Sequence, residues 1–107
     1  MSINEVKTKL KRYAEVLRQN KIAFSNLYLF GSYCSGQAKA DSDIDVAVIM
    51  QNTGTNANAF ELESKLWILA PKVDARIEPF LLAKKDLSGA RATMMGVEVI
   101  KRGIRII

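Results

Sequence analysis

The 107-residue sequence contains no histidine and a single cysteine, Cys34. An intrachain disulfide is therefore impossible. So are a zinc site built on imidazole or paired thiolates and any nucleophile activated by an imidazole base. A bound metal would have to be held by oxygen, which selects hard cations such as Mg²⁺ or Mn²⁺. No apolar run reaches the roughly 18 to 20 residues that cross a bilayer as a helix. The N-terminus also lacks the apolar core of a secretion signal, so no membrane association and a cytoplasmic location are the expectations. Acidic residues are in the minority, 11 against 16 lysines and arginines, giving a formal net charge of +5.

Much of the basic excess sits in Lys7, Lys9, Lys11, Arg12, Arg18 and Lys21 and in Lys101, Arg102 and Arg105. A polyanionic ligand, an acidic protein surface or simple solubility would each account for it. Tyr13 is the one aromatic residue within these clusters, which argues against direct nucleic-acid binding through interleaved aromatics. The apolar (49%) and charged (25%) fractions are those of an ordinary globular chain, and the length suits one domain spanning residues 1–107. There is no internal repeat, low-complexity tract or linker.

Ser2 and Glu5 stand at capping-box spacing, and Ile3, Val6, Leu10, Tyr13 and Leu17 follow at steps of three and four. That pattern predicts a helix ending near Asn20. The stretch "FSNLYLFG" reads as a strand closed by Gly31. In "SDIDVAVIM", Ile44, Val46 and Val48 alternate with Asp43, Asp45 and Ala47, which predicts a second strand. "QNTGTNAN" is a turn-rich loop, and "AFELESKLWILA" predicts a helix with Asn58 and Glu61 at its start, its apolar set including Phe60 and Trp67, stopped by Pro71. "VDARIEPFLL" alternates again, with Asp74, Arg76 and Glu78 on one side, and Pro79 sets this strand near a sheet edge or ends it there. A glycine-interrupted helix over "LSGARATMMGVEVIKRG" and a terminal strand "IRII" complete the chain. The order αββαβαβ, with helices flanking a small mixed sheet of about four strands, is an α/β (α+β) arrangement.

Asp43 and Asp45 leave one face of their strand about 6 to 7 Å apart, a spacing suited to carboxylates that share a pair of divalent cations. Asp74, on a later strand, can join them if the two strands are neighbours. Without a cation, three acids on one face would repel one another and bind protons more tightly. Gly31, before a short helix, lets an anion approach the backbone, and the Ser32 hydroxyl can donate to a phosphate oxygen. An anion cradle beside metal-binding acids suits a nucleoside triphosphate. Taken singly, each feature has an ordinary reading. Gly-Ser is a turn, Asp-x-Asp is solvent-facing alternation, and Asp74 is the partner of Arg76 or of a surface lysine.

Taken together, "GSYCSGQAKADSDID", a Gly-Ser pair, ten intervening residues and then Asp-x-Asp, resembles the signature of the DNA polymerase β-like nucleotidyltransferase superfamily. The chain is similar to its minimal nucleotidyltransferases, compact proteins often paired as antitoxins with a HEPN-domain toxin. That resemblance implies the nucleotidyltransferase fold. It also implies that Gly31 and Ser32 hold the β- and γ-phosphates of ATP and that Asp43 and Asp45 ligate two Mg²⁺ ions. Asp74 would ligate the catalytic ion and help deprotonate the attacking hydroxyl. The reaction implied is transfer of AMP to a hydroxyl acceptor, with a tyrosine of a cognate HEPN toxin as the candidate. One departure stands out. Where many members carry an arginine before the second glycine, this chain has Ser35, and nearby Lys39 is the candidate replacement. That substitution motivates an alternative, an antitoxin that acts by protein contact with little or no catalysis. A homo- or hetero-oligomer fits either reading.

Overall fold

The computed structural model describes residues 1–39, 42–51 and 56–107, and part of the turn-rich loop expected at 51–58 lies outside them. Helix α1 spans Ile3–Gln19, strand β1 Asn26–Phe30, helix α2 Ser32–Ser35 and strand β2 Ile44–Met50. Helix α3 follows over Asn56–Leu69, strand β3 over Ile77–Ala83, helix α4 over Met94–Arg102 and the short strand β4 over Ile104–Arg105. The expected order holds, and the short helix expected after Gly31 forms as α2.

The capping box forms as the sequence requires. The Glu5 N–H donates to the Ser2 hydroxyl at 3.1 Å, and the Ser2 N–H donates to the Glu5 carboxylate at 3.1 Å. Val6, Leu10, Tyr13, Ala14 and Leu17 form the buried stripe of α1. Each of the larger of these contributes about 1.5–3 kcal/mol by leaving water. Tyr13 is fully buried, and its hydroxyl is satisfied by donating to the Leu66 carbonyl of α3 at 2.8 Å.

The four strands form one sheet in the order β3-β2-β1-β4. β1 runs antiparallel to β2 and β4, whereas β2 and β3 are parallel and connected through α3. β3 is an edge strand, as Pro79 requires, because a central strand would need the missing N–H.

Alternation divides the buried apolar strand residues between two cores. Leu27, Leu29, Ile44, Val46, Val48 and Ile77 pack with α1 and α3. Phe30, Ala47, Ile49 and Leu82 pack with Val99 of α4 on the other face. β2 is thus buried from both sides, and its alternation is not one of core against water. Two expectations fail on α3. Its first turn begins at Asn56, so Asn58 lies inside the helix. Phe60 and Trp67, one heptad apart, project outward at 73% and 46% exposure, because Leu62, Leu66 and Leu69 occupy the inward face.

Candidate active site

Asp45 shares its strand face with Ala47 and Ile49, the face covered by α4. Helix α4 shelters Ala47, Ile49 and Leu82 and leaves the beginnings of β2 and β3 less covered. Asp45 is half-buried there, and Asp43 is exposed one step outside the strand. The parallel register sets Asp45 opposite Glu78 of β3, while on its other side Asp45 faces Phe30, the last residue of β1. Three carboxylates therefore gather at this corner: Asp43, Asp45 and Glu78.

Gly31 closes the corner. Its φ of +77° belongs to the left-handed half of the backbone map, open to glycine at little cost. A side chain there would also run into the Asp45 carboxylate. Both constraints require glycine, and together they press bare backbone against the acid. The chain then winds into α2, with the Cys34 and Ser35 N–H groups donating to the Gly31 carbonyl at 3.0 and 3.2 Å, and unwinds at Gly36, φ +76°. Ser32 starts this turn.

Lys39 is exposed in the loop that returns toward Asp43. Its N–H donates to the Ser42 hydroxyl at 2.7 Å, and the Ser42 N–H donates back to its carbonyl at 3.1 Å. Tyr33 is buried, and the half-buried Cys34 thiol donates to the Leu29 carbonyl at 3.0 Å. Burial pushes that thiol up, away from the thiolate that nucleophilic chemistry needs.

Asp74 does not join the acids, which corrects the expectation that it is the third carboxylate of the cluster. Pro71 and its neighbours form a short 3₁₀ turn over Ala70–Lys72, and β3 begins only at Ile77. Asp74 lies in the intervening turn, where its carboxylate accepts from the Arg76 N–H at 2.9 Å, Nε at 3.0 Å and Nη2 at 2.8 Å. Lys9 of α1 reaches it at 3.0 Å. These partners hold its carboxyl well below the usual range, the Arg76 side chain foremost. Glu78, four residues on and of the same strand parity, occupies the place expected for Asp74.

The electrostatics of the corner have the opposite sense. Burial pushes the Asp45 carboxyl up, and the charge of Asp43 adds to the effect, whereas a hydrogen bond from Glu78 works against it. Glu78 is raised by burial first, then by the charges of Asp43 and Asp45 and by its hydrogen bonds to both. Among the described residues no three acids form a ready-made cage for a single ion. What the corner offers is a set of hard oxygen donors whose mutual repulsion a divalent cation would relieve. A cleft of about 250 Å³ adjoins it, lined by Phe30, Gly31, Cys34, Ser35, Glu98 and Arg102.

Among known proteins, the chain is 36% identical over 74 residues to a chain of Methanocaldococcus jannaschii that bears the provisional name protein adenylyltransferase. That match covers 68% of this chain and 85% of the relative. Two solved structures resemble it over most of its length. A toxin–antitoxin complex with AMP-PNP matches with a TM-score of 0.59 and 29% identity, covering 94% of this chain and 72% of that one. A complex of tri-AMPylated Shewanella oneidensis HEPN toxin with MNT antitoxin matches with a TM-score of 0.57 and 26% identity, covering 95% and 71%. The family model described as "Polymerase beta, Nucleotidyltransferase" matches residues 8–106. Because that match takes in the glycine turn, Asp43 and the Asp45 of β2, the chain belongs to the polymerase beta nucleotidyltransferase family.

Proposed function

We propose that this nucleotidyltransferase moves AMP from ATP to a protein hydroxyl, a tyrosine of a HEPN-domain partner, and thereby acts as an antitoxin. The observation that carries the reading is the packing of Asp45, paired with Glu78, directly against the backbone of Gly31. Phosphate-binding backbone and cation-binding acids are adjacent. The AMP groups borne by the HEPN toxin in the related complex support the choice of donor and acceptor.

In this reading Gly31 and Ser32 receive the β- and γ-phosphates. Asp43, Asp45 and Glu78 are the residues that would hold Mg²⁺. The bound ions would offset charge on the α-phosphate and on departing pyrophosphate. Glu78 accepts the proton of the attacking hydroxyl, and Asp45 fixes its orientation. The hydroxyl oxygen forms a bond to the α-phosphorus as the bond to the bridging oxygen of pyrophosphate breaks. Positioning and charge stabilisation supply most of such catalysis, so a small scaffold suffices.

The test is transfer of label from α-labelled ATP to the co-purified partner. Asp45→Asn and Glu78→Gln should each abolish labelling, and Asp74→Asn should retain it at a temperature where the variant is folded. Labelling that survives Asp45→Asn overturns the mechanism.

A second reading rests on α3, whose Phe60, Trp67 and Ile68 are exposed. It is neutralisation of the partner by contact alone. Toxin control that persists in the Asp43→Asn, Asp45→Asn double variant would favour it.

A further inference from the structure

The turn over Gly31–Gly36 contains no lysine or arginine, so the phosphate turn has no cation of its own. We infer that Arg102, from the far end of the chain, supplies that cation and grips the β- and γ-phosphates of ATP. The inference rests on the nucleotidyltransferase reading above.

Its basis is the path of the chain after α4. Gly103 packs where a side chain would strike the Val99 carbonyl and crowd that of Leu29, so the helix end sits directly against β1. Ile104 then pairs with Leu29. Leu29 lies two residues before Gly31, and Arg102 lies two before Ile104. The register therefore brings the end of α4 alongside the glycine turn, and Arg102 lines the same cleft as Gly31 and Ser35. Within that cleft the cation faces one carboxylate, Glu98, a helical turn earlier, at 3.5 Å. Both side chains are largely exposed, 75% for Arg102 and 51% for Glu98. An exposed i,i+4 pair of this kind is weak, and a polyphosphate is the stronger partner for a guanidinium, which matches phosphate oxygens in a bidentate fork. Glu98 then acts as a resting partner that competes with the nucleotide.

Titration calorimetry with Mg²⁺ tests this, using ATP and AMP as separate ligands, alongside the labelling assay. Arg102→Ala should weaken ATP binding by about 10- to 100-fold, the loss of a charge-assisted contact, and leave AMP binding within about 2-fold. Arg102→Lys should recover part of the loss. Glu98→Gln should tighten ATP by about 2- to 5-fold, because it frees the guanidinium. Arg102 is exposed, so its variants should melt within about 2 °C of the parent. A parent that labels its partner while Arg102→Ala binds ATP equally well overturns the inference and leaves the enzymatic reading standing. Equal losses for ATP and AMP also overturn it, because the contact would then not be with the outer phosphates. A parent that neither binds ATP nor transfers AMP removes both.

Discussion

Two groups of acids precede or begin β3, and they are held in opposite ways. Asp74 is satisfied: Arg76 and Lys9 surround it, and its carboxyl stays ionised far into acid. Asp45 and Glu78 are opposed chiefly to each other and to Asp43, and both bind protons more tightly than free carboxylates. An acid that the fold has already neutralised with cations has no capacity left for a ligand. Acids left in mutual conflict lower the stability of the native state and gain from a cation that arrives later. Asp74 is a rivet between α1 and the loop before β3, and the other corner is where chemistry is available.

Changing the conflicted acids should produce the largest effect. Asp45→Asn is expected to lower AMP transfer by at least about 10³-fold with the fold intact, as checked by partner labelling and circular dichroism. Gly31→Ala comes next. The left-handed conformation alone costs about 1–3 kcal/mol, and the new methyl must displace the Asp45 carboxylate, so both melting temperature and transfer should fall.

Asp74→Ala should cost about 2–4 kcal/mol in urea unfolding, because two cations lose their shared partner at a side chain that is only 10% exposed. The sign of its pH dependence follows from the depressed carboxyl. The parent's advantage is complete above about pH 4, the unfolded-state value. It fades as pH falls through the folded-state value, so the two proteins should converge in strong acid.

The smallest effect runs the other way. Glu78→Gln should raise the melting temperature at pH 7 by about 2–5 °C, through relief of repulsion, while abolishing transfer. Because the folded-state carboxyl is raised, the parent's penalty is complete above that value. It disappears as pH falls toward about 4, where the two melting curves should meet. A destabilised Glu78→Gln at neutral pH would erase the distinction between rivet and conflicted corner.

The sequence showed α1 through its capping box and stripe, β2 through its alternation, and the position of β3 at an edge through Pro79. It also showed that Asp43 and Asp45, just before and within β2, stand close in sequence to a Gly-Ser turn. It did not show which acid of "VDARIEP" completes the corner. Alternation reveals which residues share a face, and Asp74 and Glu78 share theirs. It does not reveal where pairing begins, which depends on the 3₁₀ turn over Ala70–Lys72 and on the register that sets Asp45 opposite Glu78. The signal was present in Arg76, two residues from Asp74 and able to fold back on it. Helix α3 misled for a related reason: apolar spacing marks a helix, but it does not say which of two apolar faces turns inward when Phe60 and Trp67 share one and Leu62, Leu66 and Leu69 the other. The role inferred for Arg102 was beyond local reading altogether, because it depends on the end of the chain returning to β1.

The parallel pairing of β2 with β3 has a thermodynamic corollary. Asp45 and Glu78 become neighbours only after the intervening crossover has wound and docked, so a donor set spanning both strands has no counterpart in the unstructured polymer. A divalent ion captured there would act on the folding equilibrium itself, and its concentration should then set how much intact protein survives heating.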